Sequence, residues 1–520
     1  KKNTHTHTTI TMSLFKEITL PSGKTYKQPL VSFINNEFTP SSLSTQEMTP
    51  DNSIPVYNPA TGEKIVDLYE ACPKKDVATA ISYAKKTFKT WQKVSQSEKR
   101  DCFLKLASLV EENKQILMEV ESFNSGKPVA NNSKFDLEEL IDVLRYFAGW
   151  IDKLQGSTYL PDDDNMKLTY HQPLGIVGCI IPFNYPLTMM INKFASVAVG
   201  NCAIFKPADQ TPLSLLFFSQ FVKEAGFPPG VFQVLIGKGS TVGNELVTSE
   251  DIAKIAFTGS TAVGKMIQAK SSINLKALSL ECGGKSPMVV FDDCNLEKAI
   301  EWACIGLFSN SGQICSGTSK IYVQKNIYKK FLDGILVHLK ENYPVGDPFD
   351  EKVVIGPVIS KQQYDKIIGY IETSIKEGLT LVTGGVEKPE HVAKDEKLKN
   401  GYYIQPTIFT GLTDKHTINK EEIFGPVLAI AEFETYDEVI EKCNDNDYGL
   451  GSACFTSNLK NAIKFSKDIE AGIVWINSSN DTNTNTPFGG VKQSGNGSRD
   501  NGYYTLLDYT NVKAVHINLE

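Results

Sequence analysis

Helical periodicity dominates the first part of the chain. Between residues 76 and 123, aliphatic side chains recur at the spacing of an amphipathic helix, as in Val77, Ile81 and Ala84. The same spacing returns over residues 136–154. Both segments are therefore predicted to form helices that bury one face against a core.

From Gly175 onward, short apolar runs rich in β-branched residues alternate with helical stretches. The predicted strands are GIVGCIIP, NCAIFKP, VFQVLIG, IAKIAFTG and LKALSLECGG, and the predicted helices between them cover 186–200, 212–226, 240–248 and 261–270. Apolar strands spaced by helices are typical of a buried parallel sheet, so this region predicts an α/β fold of the doubly wound, nucleotide-binding kind.

A second α/β region is predicted from Pro287 to about Thr484. Its strands include PMVVF, KIYVQ and IVWIN, and its helices cover 295–309, 327–342 and 362–377. In the last run, VKAVHINL at 512–519, apolar and polar residues alternate as in a strand with one solvent-exposed face. This pattern predicts an edge strand or an oligomer contact. We interpret the lysine-rich stretch 388–399 as a solvated loop.

Composition excludes several classes of protein. The 520 residues carry 53 basic and 60 acidic side chains, a net charge of −7, which is unlike a basic nucleic-acid footprint. The ten Cys include no C-x-x-C pair and no Cys/His cluster at zinc spacing, so we expect no metal site and a reducing compartment. No apolar run reaches the ~18 residues of a membrane span, so we expect no membrane partner.

The first eleven residues, KKNTHTHTTIT, are rich in Thr and contain no acid, and Met12 follows them. We interpret Met12 as the native start and the preceding residues as an extension. The alternative is the remnant of a mitochondrial leader, because the stretch is basic and free of acids. The expected location is accordingly cytoplasmic, with a mitochondrial one as the alternative.

Two motifs suit a nucleotide, each with a plain structural alternative, and a third only looks like a nucleotide motif. Gly259-Ser260 follows a predicted strand and opens a helix, where free N–H groups attract a phosphate, although Ser260 also suits a simple helix cap. Lys206 and Asp209 follow another strand end, where they suit ribose hydroxyls or a surface ion pair. The segment Gly237 to Gly243 has the wrong spacing for a dinucleotide fingerprint, which favours a glycine-rich turn into a helix.

Three further residues carry candidate chemistry. Asn184 lies between two prolines that stiffen its loop, so its amide suits a preorganised oxyanion donor, or else it caps the next helix. Glu281 follows an apolar strand beside glycines, which suits a base with a raised pKa or a paired carboxylate. Cys315 lies in a polar loop of small residues, the open setting that a nucleophile needs, although a lone loop cysteine is more often structural.

Taken together and in this order, the motifs resemble the NAD(P)-dependent aldehyde dehydrogenase superfamily from about residue 30 to the C-terminus. The opening ITLPSGKTYKQPL, followed by FINNEF, resembles the yeast and other fungal members. The positions that carry the resemblance are Asn184, Lys206, Gly259-Ser260, Glu281-x-Gly-Gly-Lys, Gly312-Gln-x-Cys315, Glu421-Glu422-Ile-Phe424-Gly-Pro, Asn477 and Pro487-Phe488-Gly489-Gly490.

The resemblance implies a reaction and a role for each site residue. Cys315 would attack an aldehyde, the Asn184 amide and the Cys315 backbone N–H would hold the oxyanion, and Glu281 would activate the water that hydrolyses the thioester. The implied cofactor is NAD, with NADP possible. The cofactor contacts that the resemblance implies are Ile181, Pro182, Phe183, Lys206, Asp209, Gly243, Gly259, Ser260, Glu422 and Phe424.

The resemblance also implies an architecture. It consists of a Rossmann-like cofactor domain, an α/β catalytic domain and a small β extension that pairs subunits, so a homodimer or homotetramer is expected. The predicted boundaries are an N-terminal extension at 1–30, a cofactor domain at 31–150 and 173–284, a catalytic domain at 285–484, and oligomerisation strands at 151–172 and 495–520.

Several positions depart from the family pattern. Phe183 and Tyr185 replace the Trp and Phe of the W-N-F-P segment, and Asn192 stands where the acetaldehyde-type branch has a Trp. We therefore predict that a substrate tunnel formed by Tyr185, Asn192, Ile314, Ser316 and Phe488 is wider and more polar than that of an acetaldehyde enzyme.

Two further departures concern the cofactor and the tail. Asp209 is shorter than the Glu usual in NAD users, so we predict NAD over NADP with partial discrimination. Ser498 is an extra residue before Arg499, predicted to be accommodated in a loop. The alternatives are a CoA-acylating enzyme of the same fold, against which Glu281 argues, and a catalytically retired binding protein, against which the presence of Cys315, Asn184 and Glu281 argues.

Overall fold

A doubly wound sheet forms the first half of the molecule. The computed structural model describes residues 13–43 and 52–519. Five parallel strands and two antiparallel ones form this sheet, in the order Ala277–Glu281, Lys254–Thr258, Ile176–Ile180, Cys202–Lys206, Phe232–Val234, Ser32–Ile34 and Glu37–Thr39. The chain order reverses beside Ile176–Ile180, so a switch point lies between it and Lys254–Thr258. Ligands of open α/β sheets bind at such a point.

A second seven-stranded sheet follows in sequence. Its order is Thr380–Thr383, Thr407–Thr410, Val427–Phe433, Lys320–Gln324, Pro287–Val290, Gly451–Phe455 and Ile473–Ile476. All its neighbours are parallel except the first pair. Together the two sheets confirm the α/β fold class predicted from the alternation of apolar runs and helices.

The remaining strands are antiparallel. Thr510–Asn518, Asn165–Pro173 and Thr158–Asp162 form a three-stranded sheet. Three two-stranded pairs join Phe15–Thr19 with Thr25–Pro29, Ser53–Tyr57 with Lys64–Tyr69, and Tyr448–Gly449 with Val491–Lys492. The strand Thr510–Asn518 begins two residues before the predicted run at 512–519, and exposed side chains alternate with half-buried ones only in its second half, from Ala514 to Asn518.

Helices cover the sheets and begin and end where the local sequence requires. A capping box between Ser95 and Glu98 starts one of them, and Gly126 ends another in the left-handed conformation. The α-helices are Pro73–Trp91, Gln96–Glu112, Lys114–Ser125, Lys134–Trp150, Pro186–Lys193, Ala195–Ala198, Leu213–Glu224, Asn244–Thr248, Thr261–Lys270, Leu296–Phe308, Tyr328–Asn342, Lys361–Lys376, Glu390–Lys394, Thr417–Lys420, Tyr436–Asn444, Leu459–Asp468 and Gly502–Asp508. Short π or 3₁₀ turns cover Val129–Ser133, Gly239–Gly243, Ser271–Ile273 and Ser309–Gly312.

Two segments differ from their sequence-based interpretation. Residues 13–30 lie in the range predicted as an extension, but they form a hairpin whose Tyr26 packs edge-to-face on Phe217 at 5.2 Å within the core of the first sheet. The first twelve residues lie outside the described part. The stretch 388–399 is not wholly a solvated loop, because it contains the helix Glu390–Lys394, whose Val392 is buried in a small apolar cluster with Ala60.

Candidate active site

Loops from both large sheets meet at one place. The segment after strand Ile176–Ile180 carries Asn184, and the segment before strand Lys320–Gln324 carries Cys315. The Asn184 side-chain amide donates a hydrogen bond of 2.9 Å to the carbonyl oxygen of Gln313, two residues before Cys315. Asn184 is therefore held against the loop that carries the cysteine, as an N–H donor fixed by buried neighbours.

The Cys315 loop, residues 309–319, has an unusual backbone. After helix Leu296–Phe308, three successive residues have left-handed φ values, +46° at Asn310, +55° at Ser311 and +73° at Gly312. Side chains hold this turn: Asn310 donates to the carbonyl oxygen of Asn184 at 3.0 Å, and the Ser311 hydroxyl donates to that of Gly356 at 2.8 Å. Strain of this kind persists only where the surroundings over-determine it, and it is commonest at functional sites.

The Cys315 thiol lies in a site that opposes its ionisation. Burial raises the pKa of Cys315 to about 12, and the carboxylates of Glu422 and Glu281 add to the rise, while backbone N–H groups at Ser316 and Cys315 counteract it. Gly284 makes room for the loop, because a Cβ there would lie 2.5 Å from the Cys315 carbonyl oxygen. The thiolate thus needs a proton acceptor within the site.

Glu281 ends its strand with a buried carboxyl group that is 3% exposed. Burial raises the pKa of Glu281 well above its ordinary value and the charge of Asp500 adds to this, whereas Lys193 and Arg499 lower it. Its Oε1 accepts a hydrogen bond from the Ser498 hydroxyl at 3.4 Å, and its Oε2 has no hydrogen-bond partner among the described residues. This oxygen is available to a water or a substrate atom.

A buried ion pair adjoins Glu281, and the sequence analysis did not predict it. Lys193 donates to Asp500 Oδ2 at 2.9 Å and to the Thr258 hydroxyl at 2.8 Å, and both charged side chains are almost fully buried. The only sequence signal is a lysine at the end of Pro186–Lys193, a helix that is otherwise almost all apolar and buried. An unpaired lysine there would be too costly, so a buried acidic partner could have been expected.

A cavity of about 170 Å³ opens in front of Cys315. All five residues predicted for the tunnel, Tyr185, Asn192, Ile314, Ser316 and Phe488, line it. Polar residues that the sequence did not reveal also line it, namely Glu139, Thr188, Asn480, Thr482, Asp500 and Asn501. Polar side chains thus contribute to the cavity wall, although most of its surface is apolar, as Met189 and Ile305 illustrate.

The residues predicted for the cofactor lie along the switch point. Lys206 is buried, and its ammonium donates to Asp209 Oδ1 at 2.7 Å and to the Pro207 carbonyl oxygen at 2.8 Å. Ile181 N donates to the Lys206 carbonyl oxygen at 2.9 Å, which aligns the two strand ends. At Gly243, a Cβ would lie 3.6 Å from Lys206 Cδ, so this glycine flanks the lysine stem.

The next strand end presents an open helix N-terminus. Gly259 N donates to the Glu281 carbonyl oxygen at 3.0 Å, and the Ser260 side chain accepts from Val263 N as the cap of helix Thr261–Lys270. Ser260 is exposed. Its cap leaves other N–H groups of the first turn free for an anion.

Glu422 lies close enough to Cys315 for its charge to act on the thiol. Glu422 accepts a hydrogen bond from Gly284 N at 3.2 Å, and burial raises its pKa to about 7. Phe424 has a left-handed φ of +60° and packs edge-to-face on Phe183 at 5.7 Å, directly after Pro182. The contact between Phe183 and Phe424 thus connects the loop after strand Ile176–Ile180 with the segment before strand Val427–Phe433.

Comparison with known proteins identifies the family. Residues 46–515 match the aldehyde dehydrogenase family. The chain belongs to this family. It is 44% identical to aldehyde dehydrogenase (NAD(P)+) 2 of Saccharomyces cerevisiae, over 98% of this chain and 99% of that protein. It is also 44% identical to retinal dehydrogenase 2 of Gallus gallus, over 94% and 91% respectively.

A solved structure supports the same assignment. The NAD+ complex of an aldehyde dehydrogenase from Bacillus cereus has a TM-score of 0.89 and 38% identity, and covers 94% of this chain and 97% of that one. The protein is therefore an aldehyde dehydrogenase that oxidises aldehydes with NAD(P). Within the described ranges, no helix is long and apolar enough to cross a membrane, and no group of His, Cys, Asp or Glu could hold a metal ion.

The residues of this aldehyde dehydrogenase suit a dinucleotide. The free N–H groups beside Ser260 suit a pyrophosphate, and the Lys206–Asp209 pair offers a donor and an acceptor to ribose hydroxyls. Among the residues that the structure describes, Gly284 N is the hydrogen-bond donor to the Glu422 carboxylate, which has capacity for a further hydroxyl donor. Each part of the donor set thus has a matching group on NAD(P).

Proposed function

We propose that this aldehyde dehydrogenase converts an aldehyde to the carboxylic acid through a covalent Cys315 intermediate. The observation that carries the proposal is the setting of Cys315, which lines the cavity: the Asn184 amide is bonded to its loop at the Gln313 carbonyl oxygen, and the charge of the Glu281 carboxyl group acts on its thiol. A nucleophile, an oxyanion donor and a base are the three groups that thioester chemistry requires.

The first step is attack of the Cys315 thiolate on the aldehyde carbon. The oxygen of the resulting thiohemiacetal accepts hydrogen bonds from the Asn184 side-chain amide and the Cys315 backbone N–H. Asn184 suits this role because its second amide hydrogen remains after the bond to Gln313, and because its loop is stiffened by Pro182 and Pro186.

The second step releases the acid. Bound NAD(P) would supply the hydride acceptor, so that loss of the hydride from the aldehyde carbon would leave a thioester on Cys315. Glu281 then removes a proton from the water that attacks the thioester. Its raised pKa makes the ionised carboxylate a stronger base than an ordinary glutamate, and Lys193 favours the ionised form.

The test measures NAD(P)H formation with a panel of aldehydes. We expect Cys315→Ala to abolish turnover, and Glu281→Gln to abolish steady-state turnover while a single burst of NAD(P)H survives, because the thioester forms but does not hydrolyse. Glu422 and the rest of the cofactor site are unchanged in both variants, so NAD binding serves as the folding control. Unchanged turnover in either variant would refute its assigned role, and a product formed only with coenzyme A would favour the CoA-acylating alternative.

The cofactor preference is a separate part of the proposal. Asp209 carries its charge where it can accept from a ribose 2′-hydroxyl and repel a 2′-phosphate. Its side chain is 37% exposed and already paired with Lys206, which leaves discrimination partial. We expect a higher kcat/KM with NAD than with NADP, and a ratio that favours NADP would contradict this role of Asp209.

The three-stranded sheet supports the predicted pairing of subunits. Its strand Thr510–Asn518 lies at the edge of the sheet, and large apolar side chains such as Leu160, 70% exposed, and Val512, 63% exposed, lie on the sheet. Exposed edges and apolar patches of this kind mark interaction surfaces. Light scattering should give a dimer or tetramer for the wild type and a smaller species for Val512→Lys; an unchanged mass would argue against this surface.

A further inference from the structure

The segment after the last strand of the second sheet is bonded to the loop that carries Cys315. This segment, residues 477–486, follows strand Ile473–Ile476 and contributes Asn480 to the cavity wall. The Asn480 side chain accepts a hydrogen bond of 2.5 Å from the hydroxyl of Ser316, the residue directly after Cys315. We propose that Asn480 is a positioning residue that acts through Ser316 to hold the Cys315 thiolate in its reactive setting. This inference rests on the proposed function, because it concerns the same nucleophile.

The Asn480 side chain is fixed at both ends of its amide. Its Nδ2 donates to the carbonyl oxygen of Gly306, in helix Leu296–Phe308, at 2.8 Å, and its Oδ1 accepts from Ser316. Exchanging the two amide atoms would place an oxygen against the Gly306 carbonyl oxygen, so the amide has one favoured orientation. Its backbone is left-handed, with φ +55°, a conformation that asparagine adopts more readily than most residues. Asn480 thus links the helix before the Cys315 loop with the residue after the cysteine.

A second contact reinforces this link. The hydroxyls of Ser479 and Thr318 lie 3.1 Å apart, and both side chains are fully buried. Gly306 leaves room for them, because a Cβ there would lie 2.6 Å from Thr318 Oγ1 and closer still to Ser479 Oγ. Thr318 N also donates to the Gly306 carbonyl oxygen at 3.1 Å. The 477–486 segment therefore holds the Cys315 loop at two residues, of which Ser316 is the nearer to the cysteine.

The backbone of Ser316 contributes to the chemistry of the thiol. Burial raises the pKa of Cys315, and the charges of Glu422 and Glu281 add to this rise. The backbone N–H groups of Ser316 and of Cys315 itself oppose it. An N–H group stabilises a thiolate only when it points at the sulfur, because a hydrogen bond weakens steeply as its angle departs from linear. By fixing the Ser316 side chain, Asn480 resists a rotation that would turn this donor away.

The first experiment measures the reactivity of the Cys315 thiol in the cofactor-free protein. Iodoacetamide alkylates the thiolate, and mass spectrometry of the peptide that contains Cys315 separates this reaction from that of the other cysteines. We expect Asn480→Ala and Ser316→Ala each to slow the alkylation of Cys315 at pH 8 by roughly three- to tenfold, because a hydrogen bond to a charged group is weakened. The matched control is Thr484→Ala, in the same segment, which should leave the rate unchanged.

A double variant tests whether the two residues act as one unit. If Asn480 acts through Ser316, the variant that carries both alanines should react within about twofold of the slower single variant, since the same contact is already lost. Effects that multiply would show that the residues act independently and would overturn the inference. Ser316→Thr keeps the hydroxyl donor, so it should recover most of the rate that Ser316→Ala loses, and a rate as low as that of Ser316→Ala would count against the hydroxyl contact.

Stability and steady-state turnover separate the remaining readings. A lower Tm for Asn480→Ala with unchanged alkylation would mean a structural role, and a raised KM for the aldehyde with unchanged alkylation would mean direct contact with the substrate; either result overturns the inference. If Asn480→Ala does not fold, Ser316→Ala tests the same contact from its other end. Turnover that survives in Cys315→Ala would refute the proposed function, whereas the alkylation rates test the positioning of the thiol by themselves.

Discussion

The Glu422→Gln variant tests how far the partly buried charge of Glu422 lowers the free energy of unfolding. Glu422 keeps a pKa of about 7 against an ordinary 4.5, and at 1.36 kcal/mol per pKa unit its ionisation destabilises the fold by at most about 3 kcal/mol. The figure is an upper limit because the side chain retains some exposure. Gln preserves the side-chain oxygen that accepts from Gly284 N at 3.2 Å, so the substitution removes mainly the charge.

The sign of the pH dependence follows from the raised pKa. Below pH 4.5 the carboxyl group is neutral in the folded and the unfolded chain, so it imposes no penalty there. As the pH rises through 7 the group becomes ionised in both states, and the full penalty develops. We therefore expect Glu422→Gln to raise the free energy of unfolding by up to about 3 kcal/mol at pH 8 and by less than about 1 kcal/mol at pH 5.

The assay is urea unfolding of the cofactor-free protein at both pH values, followed by tryptophan fluorescence. The matched control is Glu421→Gln, because Glu421 is exposed and receives a hydrogen bond from the Tyr370 hydroxyl at 2.6 Å. The reasoning would be refuted if Glu422→Gln raised the free energy of unfolding by the same amount at pH 5 and pH 8, or did not raise it at pH 8. If the proposed contact with the cofactor is right, the stabilised variant should also show a raised KM for NAD.

Three further predictions concern charges around the site. Lys193→Met should lower the free energy of unfolding by about 3–5 kcal/mol in thermal or urea denaturation, because Asp500 stays buried without its cation, and adding Asp500→Asn should restore most of it; no loss in the single variant would contradict this. Asp209→Ser should reduce the ratio of kcat/KM for NAD over NADP by roughly tenfold, and a larger ratio would exclude the proposed repulsion. Glu422→Gln should lower the pKa of Cys315 and speed its alkylation by iodoacetamide at pH 8, by up to about tenfold per pKa unit, whereas an unchanged rate would show that this charge does not reach the thiol.

The sequence predicted the parts of this molecule that depend on local patterns. Asn184, Lys206 and Glu281 were predicted because each lies at or just after the carboxyl end of an apolar strand. In a parallel sheet these ends lie at the same edge, so the three residues come close together. The tunnel residues Tyr185 and Ile314 were predicted through the family resemblance, and both line the cavity.

Contacts between distant segments could not be predicted in the same way. Glu139 lies between Leu137 and Leu140 on an amphipathic helix, and helical periodicity does not say which neighbour its partly buried position faces. Ser498 lies in a loop, as the sequence analysis predicted, but the contact of its hydroxyl with Glu281 had no signal in the sequence. The left-handed backbone at Ser311 also has no signal in its residue type, because the surrounding fold imposes it.

The ion pair between Lys193 and Asp500 has a consequence for biosynthesis. Lys193 and Asp500 are 307 positions apart in the sequence. Two further contacts join the same C-terminal segment to the first sheet: the Ser494 carbonyl oxygen accepts a hydrogen bond from Cys282 N, and Asp508 forms an ion pair with Lys254. A ribosome that makes the chain from its N-terminus must therefore make all seven strands of the second sheet, the last of which ends at Ile476, before the surroundings of Glu281 can close. Until then, Lys193 and the carboxyl group of Glu281 lack their neighbours, so a nascent chain would bear a folded nucleotide-binding layer before it could bear an active enzyme.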